Sequence, residues 1–248
     1  LCHYNIDLPE LNLEGKEAGE FAGFSVVSFS LQNMDYRRLM IKRCFDIFGS
    51  IVGLIITAVF FPFVALAIKI ESRGPVLFKQ ERIGKNGRRF TMYKFRSMYM
   101  DAEERLAELQ DKNEVKGLMF KMEDDPRITK VGKFIRKTSI DELPQFWNVL
   151  RGDMSLVGPR PDVPGYADLL NGEDRKILQL RPGLTGPASL KYRNEENLRS
   201  QVEDPEWYND NVIYPDKVRL NLYYFQHPSF WKDLEMIFCT LFHRRMSY

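Results

Sequence analysis

Asp141 and Glu142 stand side by side in RKTSIDELPQFWNVLRGDMSLVGPRP, residues 136–161, with Arg136 and Lys137 before them and Arg151 and Arg160 after. Two carboxylates in so basic a neighbourhood suit a phosphorylated substrate and a hard metal ion. A carboxylate can act as a covalent nucleophile on a phosphoryl group, and Mg2+ takes one or two carboxylates together with substrate phosphates. The division of labour this suggests is that Asp141 attacks and Glu142 holds Mg2+. The same residues also fit a capping box, in which Ser139 caps a helix and Glu142 reaches back to the cap. Pro144 bears on the register: with Ser139 as cap it lies beyond the first turn and forfeits a hydrogen bond, whereas with Asp141 as cap it lies within that turn and forfeits none. In either register the carboxylates open a helix that runs to about Leu150 and stops at Gly152. Free N–H groups and the helix dipole at such an end favour anions, phosphate included, and would keep Asp141 ionised.

Further cations are placed by the elements around this stretch. Val76–Gln80 and Arg89–Arg96, joined by Gly84-Lys85-Asn86-Gly87, read as a β-hairpin with an Asn-Gly turn. Alternation puts Phe90, Met92, Lys94 and Arg96 on one face, so Lys94 and Arg96 could hold a diphosphate; taken without the rest of the chain, an edge strand protected by charge is the simpler explanation. Gly158-Pro159-Arg160-Pro161 and Arg181-Pro182-Gly183-Leu184-Thr185-Gly186 are rigid loops that each present an arginine, whose planar fork suits phosphate oxygens. Pro and Gly also make purely structural turns.

The longest apolar stretch runs from Ile47 to Ile68 without a charge. As a straight helix it would reach about 33 Å, one hydrocarbon thickness. Basic residues flank both of its ends, Arg37, Arg38, Lys42 and Arg43 before and Lys69, Arg73, Lys79 and Arg82 after, so the positive-inside rule assigns both ends to the cytoplasm. A segment with two inside ends must turn back, and Pro62 offers the break. The expectation is a re-entrant helix-break-helix; a kinked single span and a buried core helix are the alternatives. Asp125-Pro126 reads as the cap and start of a helix with an Ile128, Val131, Phe134, Ile135 stripe. That helix fits a membrane surface or a solvated face on the core equally well. Residues 101–114 read as a solvated helix, and Asp216–Arg245 as two helices broken at His227-Pro228-Ser229. The aromatic-rich stripe of the second suits either a membrane interface or the core. Residues 21–31 read as a short apolar strand.

Composition narrows the chemistry further. The 248 residues carry 36 Lys and Arg against 34 Asp and Glu, a formal charge of +2, so the balance points to no nucleic-acid partner. Cys2, Cys44 and Cys239 are far apart and form neither a disulfide framework nor a zinc site. His3, His227 and His243 lack metal-ligand spacing, so any metal uses oxygen ligands. The chain starts at Leu1 rather than Met, which reads as a fragment of a longer protein.

Taken together, KRCFD, GPVLFKQERIG, FTMYKFRSM, DPRITKVGKFIRKTSIDELPQFWNVLRGDMSLVGPRP and RPGLTG resemble the bacterial sugar transferase family, the polyprenyl-phosphate hexose-1-phosphate (monotopic phosphoglycosyl) transferases. These motifs cover most of residues 41–186 in the family's order. The resemblance implies ping-pong transfer of a sugar phosphate from a UDP-sugar to polyprenyl (undecaprenyl) phosphate, with UMP released. Asp141 would be the nucleophile, Glu142 the Mg2+ ligand, and Lys94 and Arg136 supporting cations; Arg96, Arg160 and Arg181 are candidates for substrate phosphate. The implied fold is α+β, mainly helical with a small β-hairpin, in a monotopic membrane protein: 1–35 a linker or tail, 36–73 the re-entrant anchor, 74–248 the catalytic domain on the cytoplasmic face of the bacterial inner membrane. Membrane lipid is then a partner, and a homo-oligomer is compatible with the sequence. The sequence departs from the family in two places. The break commonly falls on a Ser-Pro pair, where this chain has Ala58-Val59 with its proline later at Pro62. After RPGLTG many members carry a Trp-x-Gln run, where this chain has Pro187-Ala188-Ser189-Leu190-Lys191-Tyr192-Arg193. A non-catalytic membrane adaptor that binds nucleotide sugar or anionic lipid is the reading from another class.

Overall fold

Large aliphatic and aromatic side chains dominate Ile47–Ile68, and a helix satisfies their backbone groups without help from water. In the computed structural model this run lies inside α1 (Tyr36–Glu71), which passes through Pro62 without interruption. The expected break in the helix is therefore not seen. One proline removes a single main-chain bond, and contacts on both sides of Pro62 hold the helix in place: before it Thr57 Oγ1 lies 3.2 Å from the Leu143 carbonyl oxygen and the Phe61 ring tilts against Phe95 at 5.5 Å, and after it Val64 and Ile68 pack with Phe95 and Ile135. The structure describes residues 16–21, 24–29, 36–102, 104, 125–199, 202, 204–244 and 246. The helix expected over 101–114 falls largely outside them.

The chain divides into two compact units, Leu1–Lys42 and Arg43–Tyr248. In the first, β1 (Lys16–Phe21) pairs antiparallel with β2 (Phe24–Phe29). The apolar strand read from residue 21 onward is thus the second arm of a hairpin.

In the second unit the hairpin expected from the sequence is β3 (Leu77–Ile83) and β4 (Arg89–Phe95), paired antiparallel with Phe78 opposite Lys94. Its turn uses Asn86 and Gly87 at φ 58° and 76°, the left-handed region that Asn and Gly tolerate best. Next comes α2 (Lys130–Lys137), and here the start differs from expectation. Its cap is Thr129, whose Oγ1 accepts from Gly132 N at 2.8 Å, while the Asp125 carboxylate is already taken by the guanidinium and backbone N–H of Arg127. A 3-10 turn, Ile140–Glu142, leads into α3 (Gln145–Arg151), which ends on Gly152 at φ 91°. β5 (Ser155–Val157) and β6 (Gly183–Thr185) form a short parallel pair. The short helices α4 (Pro187–Lys191), α5 (Glu195–Arg199) and α6 (Pro205–Tyr208) then lead to the two expected C-terminal helices, α7 (Tyr214–Gln226) and α8 (Phe230–Leu241). A mainly helical α+β architecture is the result.

From Arg43 onward, one stripe of α1 lies along this second unit. Arg43 donates to the carbonyl oxygens of Val149 and Leu150, both at 2.8 Å, and Asp46 accepts from Leu156 N and Ser155 Oγ, both at 3.0 Å. A Cβ on Gly49 or Gly53 would run into Leu156 or Phe146, so small residues let the helix approach there. Val64 and Ile68 join Phe95 and Ile135 in a buried cluster, and the Glu71 carboxylate accepts from Lys130 N and Val131 N at the start of α2. Residues spaced at three and four are thus spent on the domain, while Phe48, Ile55, Val59, Phe63 and Ile70 on the other side are exposed. The packed helix is no buried core helix. On α8 both proposed roles coexist: Asp233, Met236 and Cys239 are buried, and Trp231, Leu241 and Phe242 face outward.

Candidate active site

The turn that carries the carboxylates is neither of the two caps the sequence suggested. Ser139 sits at φ 56°, and its side chain makes no capping bond; it opens the 3-10 turn rather than an α-helix. Pro144 occupies the cap position of α3, one residue before the helix proper, where its missing N–H costs nothing. The stop at Gly152 is as expected. Asp141 is buried at 7% exposure, and Glu142 beside it is partly exposed.

Glu142 Oε1 accepts from Lys94 Nζ at 2.9 Å and from Arg160 Nη2 at 3.1 Å. Three separate elements therefore meet on one oxygen: the 3-10 turn, β4 and the loop after β5. Burial pushes the Glu142 carboxyl up, but Arg160 and Lys94 outweigh it and hold the group below the usual carboxylate range. Asp141 goes the other way. Burial and the Glu142 charge raise it, against the pull of Lys94 and Arg136. The helix end expected to favour the charge on Asp141 is not formed: only a 3-10 turn carries it, and burial with Glu142 sets the direction of the shift. Arg136 is exposed, and its Nε donates to Ser97 Oγ at 2.9 Å.

Asn148 fixes the distance between the carboxylate turn and β4. It is fully buried; its Nδ2 donates to the Thr91 carbonyl oxygen at 2.7 Å, and its Oδ1 accepts from Tyr93 N at 3.2 Å. Arg82 on β3 braces the Arg160 loop by donating to the Pro161 carbonyl oxygen at 3.1 Å. That loop also interlocks with the one before β6: Gly158 N donates to Thr185 O at 2.9 Å and Gly183 N to Pro159 O at 2.7 Å, at a spacing where a Cβ on Gly158 would lie 2.3 Å from the Arg181 carbonyl oxygen. Two loops legible in the sequence only as turns prove to be one unit.

Two of the expected phosphate ligands are placed elsewhere. The Arg96 guanidinium is buried and donates to the carbonyl oxygens of Ser72 and Arg73, both at 2.7 Å, just past the end of α1. Alternation put Lys94 and Arg96 on one face, but Arg96 lies one residue beyond β4, where the chain end of α1 supplies carbonyl acceptors. Arg181 Nε donates to the Gly152 carbonyl oxygen at 3.0 Å and does not line the cavity described next.

Beside Glu142 and Arg160 opens a cavity of about 610 Å³, whose walls include Asp162, Tyr192, Tyr214 and Lys217. Glu142 is the carboxylate of the pair on its lining, and the buried Asp141 next to it in sequence is not. A narrow crevice lined by Arg82, Lys94, Glu142, Gln145 and Arg160 adjoins. Tyr214 and Lys217 escaped the sequence reading, and so did three residues nearer the carboxylates. Gln145 is buried, and its Nε2 has no partner among the described residues; it stands one turn beyond Glu142, the signal that could have found it. Asp162 directly follows the Arg160 loop. Burial and Glu195 push it up to about 6, despite Lys217, Arg82 and Arg160. Arg82 was read only as part of the basic flank of the apolar run. Among the described residues no group of three or more His, Cys, Asp or Glu could hold a metal ion, so a cation at Glu142 would draw its remaining oxygens from substrate and water.

Comparison with known proteins places this geometry. The profile of the family described as Bacterial sugar transferase matches residues 37–246. Galactosyl transferase CpsE of Streptococcus agalactiae serotype III (strain NEM316) is 43% identical over 230 residues, 93% of this chain and 48% of the relative. Undecaprenyl-phosphate glucose phosphotransferase of Komagataeibacter xylinus is 37% identical over 227 residues, 89% of this chain and 39% of the relative. Exopolysaccharide production protein PSS of Rhizobium leguminosarum bv. phaseoli is 39% identical over 210 residues, 82% of this chain and 94% of the relative. The chain thus spans less than half of the first two relatives and nearly all of the third. With the profile running through α1, the carboxylate turn and both arginine loops, the chain belongs to the bacterial sugar transferase family.

Proposed function

We propose that the protein transfers a sugar 1-phosphate from a UDP-sugar to undecaprenyl phosphate and releases UMP. The observation that carries this reading is the Asp141-Glu142 pair, with Glu142 held by Lys94 and Arg160 on the lining of a cavity large enough for a nucleotide sugar, in a family whose relatives are named undecaprenyl-phosphate glucose and galactose phosphotransferases. In the first half-reaction an Asp141 carboxylate oxygen attacks the phosphorus that bears the sugar. The bond from that phosphorus to the bridging oxygen breaks, and UMP leaves with the electron pair. In the second, a phosphate oxygen of the polyprenyl carrier attacks the same phosphorus, the bond to Asp141 breaks, and the carboxylate is restored. Lys94, Arg136 and Arg160 supply positive charge around the transferring group, where preorganised cations are worth most. The raised pKa of Asp141 makes its ionised form the more basic, and hence the stronger, nucleophile.

Mg2+ is the metal this chemistry calls for, with Glu142 as its protein ligand. Lys94 and Arg160 both donate to Glu142 Oε1, so Oε2 would be the oxygen offered to the cation, and Mg2+ is content with one carboxylate plus phosphates and water. It would neutralise charge on the diphosphate. We place the protein at the cytoplasmic face of the bacterial inner membrane. Basic residues flank both ends of α1, Arg43 and Glu71 bind the same domain, and a helix held so along its length presents its exposed Phe48, Ile55, Phe63 stripe to lipid from one side, as a monotopic anchor does.

The test is UMP release by purified protein given undecaprenyl phosphate, Mg2+ and a panel of UDP-sugars. Release with at least one sugar, abolished by chelating Mg2+, is expected. Silence with every sugar would favour the non-catalytic adaptor.

A further inference from the structure

The stretch Pro187–Arg193, where the chain departs from the Trp-x-Gln run, takes no part in the carboxylate pair or its cations. It nevertheless builds one wall of the cavity through Ser189 and Tyr192, while α7 builds another through Tyr214, Lys217 and Asn221. Three oxygens on these walls, Ser189 Oγ, Tyr214 Oη and Asn221 Oδ1, are buried and lack a hydrogen-bond partner among the described residues. Asn221 as a whole is 7% exposed. Buried polar atoms are nearly always paired, so three orphans around one cavity call for a bound group that brings the partners.

The character of that group follows from what the walls offer. The basic neighbours Lys217 and Lys191 are committed, Lys217 Nζ to Glu195 Oε2 at 2.6 Å and Lys191 Nζ, with Tyr192 OH, to Asp216 Oδ2 at 2.6 and 2.7 Å. The Asp162 carboxylate that acts on Tyr214 from the same lining would repel a phosphate. The three orphaned atoms are themselves neutral, two hydroxyls that both donate and accept and one amide oxygen that accepts. Such groups match the hydroxyls of a sugar ring and offer a phosphate no charge. The phosphate-binding chemistry lies elsewhere on the same lining, at Arg160 beside Glu142.

We propose that Ser189, Tyr214 and Asn221 form the subsite that hydrogen-bonds the hexose ring of the nucleoside diphosphate sugar and thereby selects which hexose the protein accepts. This rests on the transfer reaction proposed above. Hexose epimers differ in the direction of one hydroxyl, and a site built to pair a hydroxyl rejects a ring that leaves its groups unpaired.

Calorimetric titration of the detergent-solubilised chain with several UDP-hexoses and with UDP alone tests the subsite, alongside UMP release by the wild type. Tyr214→Phe, which keeps the ring and removes one oxygen, Ser189→Ala and Asn221→Leu are each expected to weaken the preferred UDP-hexose about 10-fold or more while UDP binds as it does to the wild type. The preference between epimers should narrow in the same variants. Equal weakening of UDP and UDP-hexose would assign the oxygens to the nucleotide, and no weakening in any variant would assign them to structural water; either result overturns the proposal. If Asn221→Leu does not fold, the other two variants carry the test. A wild type that binds as expected but releases no UMP keeps the subsite and refutes the transfer reaction; a wild type that releases UMP with unaltered binding in all variants does the reverse.

Discussion

Asp141 and Glu142 are chemically alike and adjacent in sequence, yet their surroundings push them in opposite directions. The roles proposed for them follow those surroundings. Asp141→Asn is expected to lower UMP release on the order of 10³-fold or more, since an amide cannot form the phosphoryl ester. Its thermal unfolding at neutral pH should be no earlier than that of the wild type, because burial and Glu142 make the charge at 141 unfavourable in the fold. An Asp141→Asn protein with full activity would rule out covalent catalysis there. Asp162 gives a second readout. Its folded pKa, raised to about 6 by burial and Glu195 against Lys217, Arg82 and Arg160, means that its contribution to stability is complete below the ordinary carboxylate range and lost as pH climbs through 6. Between about pH 4 and 7 the wild type should lose stability relative to Asp162→Asn; parallel melting curves across that range would refute the assignment.

α3 and β4 are short elements, and on their own neither would hold its residues in place. Asn148 locks one to the other with two of its bonds to β4 backbone, and Lys94 thereby reaches Glu142. Asn148→Ala removes both bonds and the buried side chain, leaving the part-buried Thr91 carbonyl and Tyr93 N–H without that partner, which is expected to cost about 1–3 kcal/mol of stability, about 0.5–1.5 per bond lost. It should also lower turnover at temperatures where the protein is still folded, because Lys94 loses its fixed distance from the carboxylates. Denaturant melts paired with UMP release check both; loss of stability without loss of turnover would limit Asn148 to a scaffold role. The interlocked glycines Gly158 and Gly183 do for the two arginine loops what Asn148 does for α3 and β4. They explain why Arg160 reaches the site and Arg181, on the other strand of that knot, does not.

For the protein in its membrane, the decisive feature is that α1 from Arg43 to Glu71 is bonded to one domain at both ends. Exposed Cys44 and a cysteine introduced at Arg73 should therefore react with a membrane-impermeant maleimide from the same side of sealed vesicles. Labelling from opposite sides would make the helix a true span. The sequence alone determined local elements: the Asn-Gly hairpin, the stop at Gly152 and the paired C-terminal helices, each set by periodicity or by residues with restricted dihedrals acting over a few positions; it marked the apolar run of α1, but that the helix passes Pro62 unbroken came from the fold. It also marked Asp141, Glu142, Lys94 and Arg160, because chemistry-bearing types were crowded into a few motifs. Tertiary structure alone decided which cations face the carboxylates. Arg96 and Arg160 read alike in the sequence, but a guanidinium goes to whichever acceptors the fold brings within reach, carbonyls at the end of α1 for one and the Glu142 carboxylate for the other. The orphaned oxygens of Ser189, Tyr214 and Asn221 were invisible for the same reason, since burial without a partner is a property of the packed chain and has no local signature.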